Sequence, residues 1–175
     1  YSGGTRTPMI LHWPEQVPDP GTIRRQFVDV VDIAPTILSA AGTGFDMKVN
    51  GILQMPVAGR SILPSVRDSK APGRQLQYFE LRGNRAITSG RWRAVAMHAC
   101  GTPYSEDRWE LYDLASDFSE TTDLADRFPD KLRQLKAQWD SEWARFGTGP
   151  LAQPSAFVCS MTDMFDRSAK AQEGH

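Results

Sequence analysis

The chain has 175 residues, 40% of them hydrophobic, with 20 basic and 21 acidic side chains and a formal net charge of −1. That length supports one ordinary core, and the balanced charge gives no bias towards nucleic acid or an anionic membrane surface, so neither is expected as a partner. No apolar stretch approaches the roughly 18 residues that span a bilayer.

The chain opens "YSGGTRTPMILHWP", with no initiator Met and a glycine pair set directly before an apolar run. It reads as the middle of a turn feeding a strand, and further chain is expected upstream. Pro8–Trp13, bounded by Gly3, Gly4 and Pro14, is predicted to be a short buried strand. Residues 15–22, with two prolines and a glycine, form a surface loop. In "FVDVVDIAPTILSAAG", Asp32 is the expected helix cap, Pro35 fits the first turn and Gly42 supplies the left-handed stop. Ile33, Ile37, Leu38 and Ala41 then share one face. A strand followed by an amphipathic helix is the βα pattern of a layered α/β sheet. From Thr43 to Gly73 the chain reads as an irregular connection with at most one helical turn near Ser61–Val66. A loop of that length marks a functional loop or a boundary.

Beyond it the pattern becomes antiparallel. Gln77–Leu81, Arg85–Thr88, Trp92–Met97 and Trp109–Leu114 are β-rich, and Ser89-Gly90 is a two-residue hairpin signal. Pro129 then opens a helix whose Leu132, Leu135, Trp139, Trp143 and Phe146 recur at helical spacing, with Gly147 ending the run. That stripe is expected to pack on the sheet upstream. Residues 148–175 read as a loosely attached tail.

No constellation singles out a catalytic centre. Asp29 and Asp32 could form a carboxylate pair, but a cap and its neighbour at the positive helix end account for them. Glu106, Asp107, Glu110, Asp113 and Asp117 lack the glycine and ligand alternation of a calcium loop and read as a solvated hairpin face. His12 alternates with Leu11 and Trp13, so it either points to a site at the strand's end or is structural; His98 lies near a loop and His175 is terminal. The "GTG" copies at Gly42 and Gly147 lack the context of a phosphate loop. Cys100 and Cys159 show no metal-ligand spacing and are expected to be idle or buried thiols rather than a disulfide.

The blocks "GGTRTPMILHWP", "FVDVVDIAPTIL", "VNGILQMPVAGRSI", "QYFELRGNRAI" and "WELYDLASDFSETTDLAD" followed by "PDKLRQL" resemble, in this order and spacing, the C-terminal part of the sulfatase family, closest to bacterial arylsulfatases. The likeness runs from Tyr1 to about Leu151. It implies an alkaline phosphatase-like α/β fold. Residues 1–74 would be the end of the large domain, a peripheral strand and helix with a connecting loop. Residues 75–151 would be a small antiparallel sheet packed on an amphipathic helix, and 152–175 a tail.

The resemblance also implies a sulfuric ester hydrolase in which a formylglycine, made from the Cys or Ser of a C/S-x-P-x-R motif, attacks sulfur while calcium and cationic groups stabilise charge. Neither "ACGTPY" nor "VCSMTD" reproduces that motif, and Ser2 stands where the family usually has an acidic residue. The family's active-site lysine falls upstream of Tyr1. The chain is therefore expected to carry no catalytic residue, no calcium and no formylglycine, and to be inactive alone. Its implied partners are the N-terminal catalytic part of the same protein and a sulfate ester. Tyr1, Thr5, Arg6 and Asn84 are the residues implied to approach the leaving group. A phosphonate or phosphodiester hydrolase of the same superfamily, and a non-catalytic binding module, are the competing readings.

Overall fold

The computed structural model describes residues 1–155 and Cys159. Two compact units emerge: Arg6–Gln75, and a second made of Tyr1–Thr5 with the chain from Leu76 onward. The second unit is built on a four-stranded antiparallel meander, while the first is held together mainly by polar groups.

In the first unit a 3-10 turn, Val30–Asp32, runs into α1, Ile33–Ala40. The cap differs from expectation. Asp29 accepts from the Val31 amide and the Asp32 side chain reaches back to the Asp29 amide, so Asp29 is the capping residue and Asp32 its reciprocal partner. Asp32, 1% exposed, is the hub of the unit. Its carboxylate also accepts from the Arg60 amide at 2.8 Å and pairs with Arg74. Thr36 extends the hub, donating to the Asp32 carbonyl at 2.6 Å and accepting from the Ile62 amide at 3.0 Å. A Cβ at Gly59 would overlap the Val31 carbonyl, which is why the chain needs glycine where it passes the turn.

The stretch 43–73 is more ordered than expected. It contains a hairpin, β1 (Lys48–Val49) with β2 (Ile52–Leu53), and a short helix, α2 (Leu63–Arg67). Asn50 and Gly51, both at positive φ, make the hairpin turn. Arg24 donates to the Ser65 and Val66 carbonyls and so satisfies groups at the end of α2.

Two expectations fail in this unit. Pro8–Trp13 pairs with no strand among the described residues, and Ile10 is 95% exposed. An apolar run encodes a wish for burial, but a ladder also needs a neighbouring edge. The predicted apolar face of α1 is likewise open, with Ile37 62% exposed.

In the second unit β3 (Leu76–Leu81), β4 (Asn84–Ser89), β5 (Trp92–Ala96) and β6 (Trp109–Asp113) pair in chain order. The β3–β4 turn is Arg82-Gly83, both at positive φ, which matches the right-handed twist of its strands. The β4–β5 turn is Gly90-Arg91, one residue later than Ser89-Gly90, because Ser89 still pairs with Trp92. One face carries Tyr78, Ile87, Ala94, Ala96, Trp109 and Leu111, and α3 (Pro129–Phe146) lies over it. The small Ala94 and Ala96 leave room for Trp139, which is 1% exposed and donates its indole N–H to the Phe79 carbonyl at 3.0 Å. Tyr78 meets the rings of Trp139, Trp143 and Phe146 at 6.4, 6.4 and 6.5 Å, so the predicted stripe is the packing stripe.

The cysteines correct the sequence reading. Cys100 and Cys159 form a disulfide with Cα atoms 5.7 Å apart, across 59 residues of sequence. Of the expected tail, 156–158 and 160–175, His175 included, lie outside the described residues.

Candidate functional site

Three polar clusters decorate the sheet unit. The first sits at the end of β4 and β5. Arg85, the second residue of β4, lays its guanidinium over the rings of Tyr104, Trp109 and Trp139 at 5.2, 5.1 and 5.6 Å. It donates to Asp107 at 2.7 Å and to the Tyr104 carbonyl at 3.1 Å. Asp107 also meets His98 Nδ1 at 3.0 Å, and His98 Nε2 lies 3.0 Å from Gln153 Oε1. His98 stacks on Tyr104 with ring centres 4.0 Å apart. Gly83, in the β3–β4 turn, abuts both rings, so a side chain there would displace them. With both ring nitrogens engaged and its side chain buried, His98 is a structural histidine. His12 is exposed, on the unpaired segment.

The second cluster lies on the face away from α3. Tyr1 donates to Glu110 Oε2 at 2.7 Å and Tyr112 donates to the same oxygen at 2.9 Å, with the two rings edge to face at 6.3 Å. The hydrogen bond to Glu110, followed by partial burial, pushes the Tyr1 phenol up to about 12. Burial first, then Glu110, raises Tyr112 as well. Both phenols therefore stay protonated at neutral pH and act as donors, not bases. The third cluster is a buried ion pair on the same face, Arg93 Nε to Glu120 Oε1 at 2.9 Å, with Arg93 also donating to Thr88. Glu120 sits at φ +57°, a conformation that side chains rarely adopt.

Of the five acidic residues after β5, Glu106 is exposed as expected, but the other four are engaged in polar contacts rather than forming a solvated face. Asp107 and Glu110 belong to the first two clusters, Asp113 pairs with Arg91 and caps the turn at Ala115, and Asp117 accepts from Thr121 and Thr122. The Arg91 hydrogen bond holds Asp113 below the usual carboxylate range, and backbone N–H groups, Thr122 foremost, do the same for Asp117. At Asp123 burial pulls upward but the Leu111 and Ala125 amides and Arg108 outweigh it.

These shifts predict acid sensitivity with a definite sign. A depressed carboxylate takes up its proton in the unfolded chain near about 3.9 but later in the folded one, so its stabilisation is complete above that value and is lost as pH falls through the folded value. The urea midpoint of the sheet unit should therefore drop as pH is lowered from about 6 to about 3, and less so in Asp113→Asn. A midpoint flat over that range would contradict the assignment.

The four residues implied by resemblance do not gather into one of these clusters. Tyr1 belongs to the Glu110 cluster. Asn84, at the start of β4, accepts from the His98 amide at 3.0 Å and donates to the Leu81 carbonyl at 3.2 Å, so its amide shapes the turn. Thr5 and Arg6 are exposed, Thr5 closing the N-terminal piece of the sheet unit and Arg6 opening the other. The His98–Asp107–Arg85 cluster carries no spacing signal, and the sequence reading missed it. Among the described residues no three His, Cys, Asp or Glu side chains meet in a way that could hold a metal ion, and the two cysteines are joined to each other. The chemistry these described clusters display is hydrogen bonding and ion pairing, which binds and positions groups.

Residues 1–144 match the family described as N-sulphoglucosamine sulphohydrolase, C-terminal. An uncharacterised sulfatase of Schizosaccharomyces pombe is 32% identical over 166 residues, covering 93% of this chain and 29% of that protein. Arylsulfatase K of Xenopus laevis is 28% identical over 141 residues, covering 77% of this chain and 25% of its own. The chain thus spans under a third of the length of these relatives. Among solved structures, Ps i-CgsB in complex with k-i-k-neocarrahexaose superposes with a TM-score of 0.56 at 21% identity, covering 91% of this chain and 34% of that one. The yidJ protein of Bacteroides fragilis gives 0.53 at 15% identity over 76% and 28% of the two chains. Order of elements, sheet-on-helix packing and these matches converge: the chain belongs to the N-sulphoglucosamine sulphohydrolase C-terminal family, the C-terminal part of sulfatases.

Proposed function

We propose that this chain is the C-terminal portion of an arylsulfatase-like sulfuric ester hydrolase, which converts a sulfate ester to an alcohol or phenol plus sulfate, and that its partner is the N-terminal catalytic part of the same protein. The family match over residues 1–144 is the observation that carries this reading. The matched family and both relatives are sulfatases, which favours sulfate over a phosphonate or phosphodiester. Formylglycine and calcium are what the family would use, but the described residues of this chain fit neither group, so no step of the reaction is routed through them.

The contribution of this chain is to wall and shape a cleft. Residues 1–74 complete the large α/β domain, and the exposed Ile10, Val30 and Ile37 are the apolar groups that such a domain would cover. Residues 75–151 form the small subdomain, and the remainder a tail. Tyr1, Thr5, Arg6 and Asn84 are the residues that the family resemblance directs to the leaving group; Arg6 would supply a cation there, and Asn84 holds the β3–β4 turn.

In the longer protein that contains this chain, Arg6→Ala should raise KM for an aryl sulfate by roughly 10- to 100-fold with kcat little changed, the signature of a lost charged hydrogen bond made equally in ground and transition states. An unchanged KM would remove Arg6 from the substrate's surroundings. Absence of any sulfate release from the longer protein would sink the hydrolase reading itself.

A further inference from the structure

Beyond the ester chemistry, the disulfide joins two segments whose other contacts share a theme. Leu151 packs against the core that α3 makes with the sheet. The next residues run along the loop between β5 and β6: the Ala152 carbonyl accepts from the Tyr104 hydroxyl at 2.8 Å, and Gln153 bridges His98 Nε2 at 3.0 Å and the Thr102 carbonyl at 3.2 Å. Cys159 then bonds to Cys100. Residues 151–155 therefore lie as a strap on the loop that supplies His98, Tyr104 and Asp107. Gln153 covers the one ring nitrogen of His98 that Asp107 does not.

We propose that the Cys100–Cys159 disulfide is a redox-sensitive latch for this strap, closed in an oxidising compartment and opened by a dithiol reductant, and that opening it loosens the His98–Asp107–Arg85 end of the sheet while the core beneath α3 stays folded. Both cysteines are half-buried rather than enclosed in the core. In the opening reaction a thiolate of the dithiol attacks one cysteine sulfur, the S–S bond breaks and a mixed disulfide forms. The second thiol of the reductant then closes its own disulfide, and two protons and two electrons end on Cys100 and Cys159 as thiols. The core does not depend on the latch. Ile87, Ala94, Leu111, Leu135 and Trp139 pack on one another, and the meander supplies its own ladder. Local opening at the low-stability edge of a fold, with the centre intact, is the expected pattern.

The test is hydrogen–deuterium exchange on the whole chain, oxidised and then treated with dithiothreitol, with thiols titrated in both states. The expected result is no free thiol before and two after, with amides of residues 97–108 and 151–155 exchanging at least about tenfold faster once reduced, while β4, β5 and α3 keep their protection. A Cys100→Ser, Cys159→Ser double variant should reproduce the reduced pattern without reductant. Gln153→Ala, with the disulfide intact, should accelerate 97–108 only partly. Two free thiols in protein purified under air, unchanged exchange at 97–108 on reduction, or loss of protection across the whole sheet would each overturn the proposal.

Discussion

Trp139→Ala should lower the stability of the sheet unit by about 3–5 kcal/mol, the range for truncating a large buried aromatic. The side chain is enclosed by Ile87, Ala94, Ala96, Trp109, Leu111 and Leu135, all buried in one cluster. Its ring is stacked on Trp143 at 5.5 Å and stands edge to face with Trp109 at 6.4 Å. Truncation removes that apolar area, leaves a cavity between helix and sheet, and strands the Phe79 carbonyl that the indole N–H satisfies. Alanines on β5 are too small to fill the space, so collapse offers little relief. Asp140→Ala, one residue along on the exposed side, should stay within about 0.5 kcal/mol. Urea midpoints of the two variants measure the difference, and equal midpoints would mean that the helix does not pack by this face.

Arg93→Met is the second large effect. Arg93 and Glu120 pair with side chains only 3% and 2% exposed. Removing one member of a buried pair leaves the other charge without compensation and costs about 3–5 kcal/mol, far more than the pair contributes over an apolar replacement. Glu120 also sits at positive φ, so its loop relies on the pairing to stay in place. The double variant Arg93→Met, Glu120→Gln should recover part of the loss, because the stranded carboxylate is gone. A thermal or urea unfolding cycle over the four proteins gives the coupling. A double variant less stable than the sum of the two singles would contradict the account.

Local features of this fold were legible before any coordinates. The stripe on α3 follows from spacing alone, and it packs as its period requires. The strands were legible from β-branched and aromatic content, with the turn misplaced by one residue because Ser89-Gly90 and Gly90-Arg91 both offer a glycine and only the register decides. Asn50-Gly51 is a strong hairpin dipeptide, yet its flanking strands are two residues each and show no alternation to notice. Asp29 and Asp32 were both recognised as belonging to a helix start, but which one caps depends on the 3-10 turn that precedes α1.

What was not legible depends on distant partners. Nothing near Arg93 marks Glu120, and nothing near His98 marks Asp107 and Gln153, since sequence periodicity carries no information about which loop returns to a given strand. The disulfide was missed for the same reason: its partners are 59 residues apart and only the docking of the strap brings them together. Pro8–Trp13 is the converse case. Its apolar character was legible and its pairing was not, because composition encodes a preference for burial without naming the edge that provides it. The family resemblance, in turn, bore on function through ordered blocks spread along the chain, which the reading of single residues and their spacing does not supply.

The most direct measurement of the central claim is sulfate release from an aryl sulfate with calcium present, by the purified chain and by the proposed longer protein, in which a C/S-x-P-x-R motif would precede it. The account predicts turnover by the longer protein, and a rate no greater than the buffer blank for the chain alone, whose described residues bring together neither nucleophile nor metal ligands. Turnover by the chain alone that a single substitution within it abolishes, Asn84→Ala for instance, would contradict the account.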